Sequence, residues 1–428
     1  MSSATDPAVA EALRQTAGRF GTPAYVTDLV ALDKAAAAVR AAFPDPWIRQ
    51  YSVKANDVPA IVAEVWARGF GANVVSRGEW RAATRAGVTN DRITLEGVGK
   101  TDADLHAAVR ATAAGRTPLA WVAIESGDEA DALARMAQRA GLGRNGRAPL
   151  DVLVRLNPDV TPETIDALAV GAGASKFGMT ETQATGVVGW LASGAAGAIR
   201  PRGVHLHVGS QLRAVDAWRD AVRRGLAVVA LLRGNLEAFD TLDLGGGFPV
   251  FPPDEPTPGP ERFARELPEL LAALPEDRRP TRLAIEPGRA LVARSGWLVA
   301  RVLHVRVRDG RQVVIDTGMT ELIRPALYGA RHPIVALTTL GRDVDEADLA
   351  QRIRADVAPT RVEGPICEST DALGTHDLPP LRRGDLVAIR DAGAYAASLA
   401  STYNGRPRAP QVFLDTNRQL RLARAGRA

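Results

Sequence analysis

Residues 203–248 read GVHLHVGSQLRAVDAWRDAVRRGLAVVALLRGNLEAFDTLDLGGGF, and this stretch decides the fold. The runs 203–207 and 241–244 are short and rich in apolar and β-branched residues, as strands require. Between them, 216–232 carries apolar residues at three- and four-residue spacing, the stripe of an amphipathic helix. Strand, helix and strand in that order make a βαβ unit, whose two strands lie parallel.

The same alternation continues in both directions. Strands are predicted at 48–53, 72–75, 93–95, 121–124 and 151–156 before this unit, and at 282–285 after it. Helices are predicted over 59–66, 78–86, 101–113, 127–140, 181–191 and 262–274. Eight strands with helices between them fit a parallel barrel or a doubly wound sheet, and the count favours the (β/α)8 TIM barrel. After about residue 290 the pattern turns to strands at 298–307, 312–316, 361–363, 386–390 and 411–414, with few helices between. The expected organisation is an N-terminal segment, 1–27, packing with the β domain. A barrel over 28–290 follows, then a C-terminal β domain over 291–428.

Composition excludes several classes. With 46% hydrophobic and 24% charged residues, the chain of 428 is neither disordered nor fibrous. Fifty-three basic against 49 acidic residues leave a net charge of only +4, and no basic tract is long enough to follow a phosphate backbone, so no nucleic-acid partner is expected. The single cysteine, Cys367, forbids an internal disulfide and any multi-cysteine metal site, and the six histidines form no HExxH pattern, so no metal is expected. The longest strongly apolar run, 226–232, falls far short of the roughly 20 residues of a membrane span. The N-terminus lacks a charged-then-apolar leader, so the expected location is cytoplasmic with no membrane partner.

Polar and glycine motifs cluster where the predicted strands end. In Tyr51-Ser-Val-Lys54-Ala-Asn56 a lysine follows a strand, where it would lie at the barrel mouth as a Schiff-base nucleophile. Taken alone, a surface lysine is the commoner reading. His205 and His207 alternate at a strand end and share one face. A metal would lack an obvious third ligand, a flat aromatic cofactor stacked on one ring is the other functional reading, and plain burial weighs about as much as the two together. Gly245-Gly246-Gly247 exposes consecutive N–H groups as an anion nest, although tight turns also need glycine. Glu286-Pro-Gly288-Arg289 adds a carboxylate, an N–H and a guanidinium on the last βα loop, beside the loop that carries the glycines. Barrels often build phosphate sites from these two loops. Cys367 and Glu368 stand side by side in the second domain, and a sole cysteine is more often an inert core residue. Arg324 and Tyr328 lie four apart on one predicted turn, and Tyr395 follows a glycine turn. Together the motifs offer an amine, two anion loops, a stacking ring, an acid and a proton donor, which is the equipment pyridoxal 5'-phosphate (PLP) needs.

At this point the sequence resembles the fold-type III PLP-dependent decarboxylases, and within them the diaminopimelate decarboxylases. YSVKAN, GVGKT, SKFG, HLHVGSQ, DLGGGF, EPGR, LIRPALY, GPICES, DAGAY and YNGRPR occur in family order from about residue 20 to 414. The resemblance implies an alanine-racemase-like barrel with a C-terminal β domain, working as a homodimer with shared active sites. It implies decarboxylation of meso-2,6-diaminopimelate to L-lysine and CO2, with a relative acting on another amino acid or conjugate as the alternative, and a PLP protein that does not decarboxylate as a third.

Carried over residue by residue, the resemblance implies that Lys54 holds PLP covalently, His207 stacks on its ring, and Glu286 pairs with the ring nitrogen. Ser210, Gly245, Gly246, Gly247, Gly288 and Arg289 surround the phosphate, and Arg289 also reaches a substrate carboxylate. Tyr395 touches cofactor and substrate, while Arg324 and Tyr328 hold the distal carboxylate. Cys367, as proton donor, and Glu368, gripping the distal ammonium, come from the partner subunit. Two departures stand out. Asn73 replaces a usual aspartate, so an amide stands where a charge is expected near Lys54. Thr370 replaces a usual glycine in the loop beside the distal end of the substrate.

Overall fold

The computed structural model describes residues 5–113, 117–165, 169–171, 175–193, 197–344 and 356–426. Two compact units divide the chain, one formed by Met1–Ala35, Val250–Pro256 and Arg289–Ala428, the other by Ala36–Pro249 and Thr257–Gly288. Strands are numbered along the chain, and the first, Ala24–Asp28 (β1), belongs to the first unit.

The second unit is a closed parallel barrel of eight strands. They are Ile48–Ser52 (β2), Gly71–Val74 (β3), Ile93–Leu95 (β4), Trp121–Ile124 (β5), Leu150–Arg155 (β6), Ile199–His205 (β7), Thr241–Asp243 (β8) and Arg282–Ile285 (β9). Closure comes from β9 pairing with β2, with Ile48 opposite Ala284. Outward residues such as Val74, Leu95, Val122, Val154 and Leu242 are fully buried, because each strand is covered by a helix as well as flanked by strands. Inward residues alternate with them. Trp121, Leu153 and Ala284 form a small apolar plug inside the barrel. Asn73, Glu96, His205, Asp243 and Glu286 form a buried polar group at the C-terminal ends of the strands.

Helix 181–191 is built as a full capping box: Thr180 accepts from the Gln183 N–H and the Gln183 side chain accepts from the Thr180 N–H, over Glu181–Ala192. Two predicted elements differ from expectation. The helix expected over 262–274 is two short helices, Pro260–Ala264 and Leu267–Ala272, because Pro268 has no N–H to continue the first and sits instead in the opening turn of the second. The strand expected over 203–207 begins at Ile199 and ends at His205. Its early part was masked by Pro201, which sits at a register shift where Val152 faces Pro201 and Leu153 faces Gly203.

The first unit carries a nine-stranded sheet. It adds Gly296–Val307 (β10), Arg311–Ile315 (β11), Ile334–Ala336 (β12), Ala358–Glu363 (β15), Ala372–Leu378 (β16), Leu386–Ile389 (β17), Gln411–Leu414 (β18) and Leu420–Arg424 (β19) to β1. A separate two-stranded ribbon is made of Thr338–Thr339 (β13) and Arg342–Asp343 (β14). β1 lies inside the sheet, antiparallel to β10 and parallel to β18. Strand alternation splits the core in two. Tyr25, Leu298 and Ile389 pack on one face, and Val26, Val299 and Val412 on the other, under Val9, Leu13 and Ala17 of helix Pro7–Phe20. Asp6 caps that helix by accepting from the Ala8 N–H at 2.9 Å. No helix among the described residues is long and apolar enough to cross a membrane.

Candidate active site

The barrel mouth gathers the predicted residues of the second unit. Lys54 follows β2 in a single 3-10 turn, Val53–Ala55, and is half-buried. Its charge reaches His207 and helps hold that ring neutral, although burial is the larger cause of the strongly lowered pKa. His207 Nδ1 accepts from the Gly246 N–H at 3.2 Å, which fixes the ring against the glycine loop.

The three glycines are dictated by close approach. A Cβ on Gly245 would stand 2.2 Å from the Leu206 carbonyl oxygen, and the backbone there has φ +67°. A Cβ on Gly246 would stand 2.5 Å from the carbonyl oxygen of Glu286, so the two loops are held backbone to backbone. Asp243 Oδ1 accepts from the Gly245 N–H at 2.9 Å and ties the loop to the end of β8. Gly288 is less tightly confined, a Cβ there meeting that of Ser52 at 3.0 Å. The result is a side-chain-free cradle beside the half-buried amine of Lys54. Ser210 lies on the loop after β7, where its carbonyl accepts from Thr164 Oγ1 at 2.7 Å.

Glu286 is buried one residue past β9 and accepts from Asn73 Nδ2 at 2.5 Å. The expected departure at position 73 therefore acts on Glu286. His205 faces Glu96 and Glu286 from inside the barrel, at 3.2 Å and 3.5 Å. The sequence left the role of His205 open and gave no sign of Glu96, Asp243 or Glu79 as site residues. Glu79 is half-buried, accepts from the Val75 N–H at 2.8 Å, and has a raised pKa because burial outweighs that hydrogen bond and the charge of Lys54. Two of the quoted motifs are structural. Lys100 of GVGKT is fully covered and paired with Glu129 at 2.9 Å. Phe177 of SKFG lies under Arg155, 4.7 Å from its guanidinium carbon, and Arg155 pairs with Glu125 at 2.6 Å.

The first unit holds the remaining predicted residues. Arg289 is buried with its guanidinium 4.7 Å from the centroid of Tyr395. Tyr395 adopts φ +57°, a left-handed conformation that costs a non-glycine residue about 1–3 kcal/mol. Arg324 opens a short helix, Arg324–Tyr328, and donates to His332 Nε2 at 2.7 Å, while His332 Nδ1 is satisfied by the Arg390 carbonyl at 3.0 Å. Burial, then the charges of Arg324 and others, holds His332 at about 3, so Arg324 is paired to a neutral ring rather than to an acid. Burial and then the charge of Arg289 lower Arg324 itself to about 9, with Tyr395, Tyr328 and the carboxylate of Asp391 opposing. Two buried guanidiniums within each other's field favour the binding of an anion.

Cys367 is exposed, and the loop that carries it is pinned from behind by Asp371. The Asp371 carboxylate accepts from the N–H groups of Ile366 at 2.7 Å and Met319 at 2.6 Å, and a Cβ on Gly364 or Gly318 would strike it at 2.2 Å or 2.1 Å. Glu368 Oε1 accepts from the Tyr403 hydroxyl at 2.5 Å. Tyr403 was present in the quoted YNGRPR block but received no role.

The family model for the pyridoxal-dependent decarboxylases, pyridoxal binding domain, matches residues 29–293. The chain belongs to this family. The decarboxylase is 32% identical over 415 residues to the diaminopimelate decarboxylase of Aquifex aeolicus, covering 96% of this chain and 91% of that one. It is 34% identical over 405 residues to that of Deinococcus radiodurans, covering 94% and 92%. Among solved structures, the diaminopimelate decarboxylase of Helicobacter pylori complexed with L-lysine superposes with a TM-score of 0.85 at 29% identity, covering 97% of this chain and 96% of that one. The M. jannaschii enzyme in complex with L-lysine gives 0.84 at 27%, covering 97% and 92%. The cofactor of this decarboxylase is PLP, and its substrate is a small amino acid. The side-chain-free cradle, the amine of Lys54 and the buried carboxylate of Glu286 fit that group chemically.

Proposed function

We propose that the enzyme decarboxylates meso-2,6-diaminopimelate to L-lysine and CO2. The observation that carries this is Arg324, a buried guanidinium hydrogen-bonded to a neutral histidine and set within the field of a second one, Arg289. A substrate with one carboxylate, which it loses, has no use for such a cation. A substrate that keeps a second carboxylate does. Glu368, exposed and contributed by the second subunit in this reading, supplies the opposite sign for an ammonium group.

In this reading Lys54 holds the cofactor covalently, His207 lies against its ring, and Glu286 faces the ring nitrogen. Ser210, Gly245, Gly246, Gly247, Gly288 and Arg289 hold its phosphate. PLP, when bound, supplies the electron sink for the pair left behind as CO2 departs. The residues do the rest. Neutral His207 presents a flat, uncharged face. Glu286, out of water, interacts with a protonated ring nitrogen more strongly than it would in solution. Arg289 and Tyr395 orient the substrate carboxylate, and Arg324 and Tyr328 hold the distal one. Cys367 Sγ delivers a proton to the substrate α-carbon, and Glu368 holds the distal ammonium. Both come from the second subunit of a homodimer. Mixing Lys54→Ala and Cys367→Ala subunits, each inactive alone, then restores turnover. Unrestored activity would place both residues in one subunit's site.

Thr370 favours a second reading. Its hydroxyl stands 3.4 Å from Glu368 Oε2 in the loop facing the distal end of the substrate, which suits a relative acting on another amino acid or conjugate. A panel of meso-, LL- and DD-diaminopimelate, lysine, ornithine and arginine, assayed for CO2 release, separates the two. The first reading requires meso-diaminopimelate to have the highest kcat/KM.

A further inference from the structure

Three carboxyl groups, those of Glu96, Asp243 and Glu286, are buried together at the C-terminal ends of β4, β8 and β9. A carboxyl oxygen of Glu96 and one of Glu286 lie within 4.8 Å of each other, and the charges of both act on Asp243. Three negative charges so placed, out of water, repel too strongly to coexist, so the cluster must keep protons. Asn73, from β3, puts an amide N–H on Glu286 Oε1 at 2.5 Å. His205, from β7, brings Nε2 to 3.2 Å from Glu96 and 3.5 Å from Glu286. A ring nitrogen of His205 and a carboxyl oxygen each of Glu96 and Glu286 all fall within 4.8 Å of one another.

The charge states follow from the surroundings. Burial, with the charge of Glu286 next, pushes Glu96 up to about 8. Burial, then Glu286 and Glu96, pushes Asp243 well above the carboxylate range. Burial holds His205 down at about 4, against the pull of Glu96. The other charges facing the cluster are Lys54, Arg155 and Glu125, which act on it through His205. Asp243 already has a task, since its Oδ1 holds the Gly245 N–H. Glu96 has no such second task in the mechanism.

We propose that Glu96 is a positioning residue of this enzyme: as a neutral acid it donates to Glu286 and, with the amide of Asn73, confines the negative charge of the cluster to the one carboxylate that faces the cofactor's ring nitrogen. The proposal rests on the role given to Glu286 above. It also gives the departure at position 73 a reason. An aspartate there would add a fourth acid to a cluster that can carry one charge, whereas asparagine adds a donor. When Glu96 loses its proton, the donor that steadies Glu286 is lost and two like charges stand side by side.

The test compares the wild-type holoenzyme with E96Q, E96A, N73D and E286Q from mildly acidic to alkaline pH. It reads the visible absorption of the bound cofactor, the cofactor's dissociation constant and kcat. In the wild type, absorption and kcat change together through an alkaline transition near the value of about 8 set for Glu96. E96Q keeps a neutral donor of the same shape, so it retains most turnover and loses that transition. E96A loses the donor, turns over about tenfold more slowly or worse, and binds cofactor less tightly. N73D is impaired in the same sense. If E96Q keeps the alkaline transition, or is as impaired as E96A, the proposal is overturned. Should E96A fail to accumulate, the wild type against E96Q decides alone. E286Q keeps the two claims apart. Turnover that survives E286Q removes the role of Glu286 itself, while an inactive E286Q beside an E96Q that matches E96A removes only the part given to Glu96.

Discussion

Tyr403 donates its hydroxyl proton to Glu368 Oε1 at 2.5 Å, so the acid proposed to grip the distal ammonium is itself held by a residue 35 positions away. The carboxylate in turn raises the pKa of the phenol, through that hydrogen bond first and then through its charge. Tyr403→Phe frees the carboxylate to rotate. The expected outcome is a higher KM for diaminopimelate with cofactor content unchanged, read by steady-state kinetics and by the absorption of the purified protein. An unaltered KM would show that the orientation of Glu368 does not matter to the substrate.

Arg324→Met removes the buried cation while keeping most of its apolar stem. One charged hydrogen bond is worth about 1.5–3 kcal/mol, so kcat/KM for diaminopimelate should fall by about ten- to a hundredfold. Because a guanidinium without an acid partner is costly to bury, the variant should unfold no more easily than the wild type. Calorimetry and kinetics together check this. A fall in stability with kinetics intact would mean that Arg324 only supports the loop.

Gly246→Ala places a methyl group 2.5 Å from the carbonyl oxygen of Glu286. The loops must separate, at a cost of roughly 1–3 kcal/mol in stability, and the cradle widens with them. The expected signature is weaker PLP retention on gel filtration together with a lower melting temperature.

The raised value of Glu96 also predicts how stability follows pH. Unfolded, the group titrates at its ordinary 4.5, and folded at about 8. The folded state therefore holds the proton more tightly, and the stability this provides is complete below about 4.5 and is lost as pH rises through 8. E96Q, which has no proton to lose, should melt with a flatter dependence on pH over that window. Parallel melting curves in the two proteins would contradict the assignment.

Much of this architecture was legible in the sequence, and the exceptions have physical causes. The barrel strands are legible as short runs rich in apolar residues between helical stretches: Trp121–Ile124 and Arg282–Ile285 are found where predicted. Strands of the second sheet that face solvent do not. Ala372–Leu378 has the sequence ALGTHDL, with most of its positions exposed or half-buried, and gives little signal. Helix Pro7–Phe20 was not predicted, although Asp6 and Pro7 mark its start. At the site, glycine and lysine motifs were readable one by one. The acid cluster was not, since Glu96 and Asp243 look like ordinary polar strand ends until closure of the barrel turns them towards Glu286. Their common position, one polar residue at the C-terminal end of an inward-facing register, was the available clue.

The covalent attachment of the cofactor is the claim on which the rest depends, and it can be read directly. Borohydride reduction of the holoenzyme, proteolysis and mass spectrometry should find the pyridoxyl group on the peptide that contains Lys54, and Lys54→Ala should lose both that mass and the visible absorption. A pyridoxyl group on another lysine, or a Lys54→Ala protein that still absorbs as the wild type does, would contradict the account.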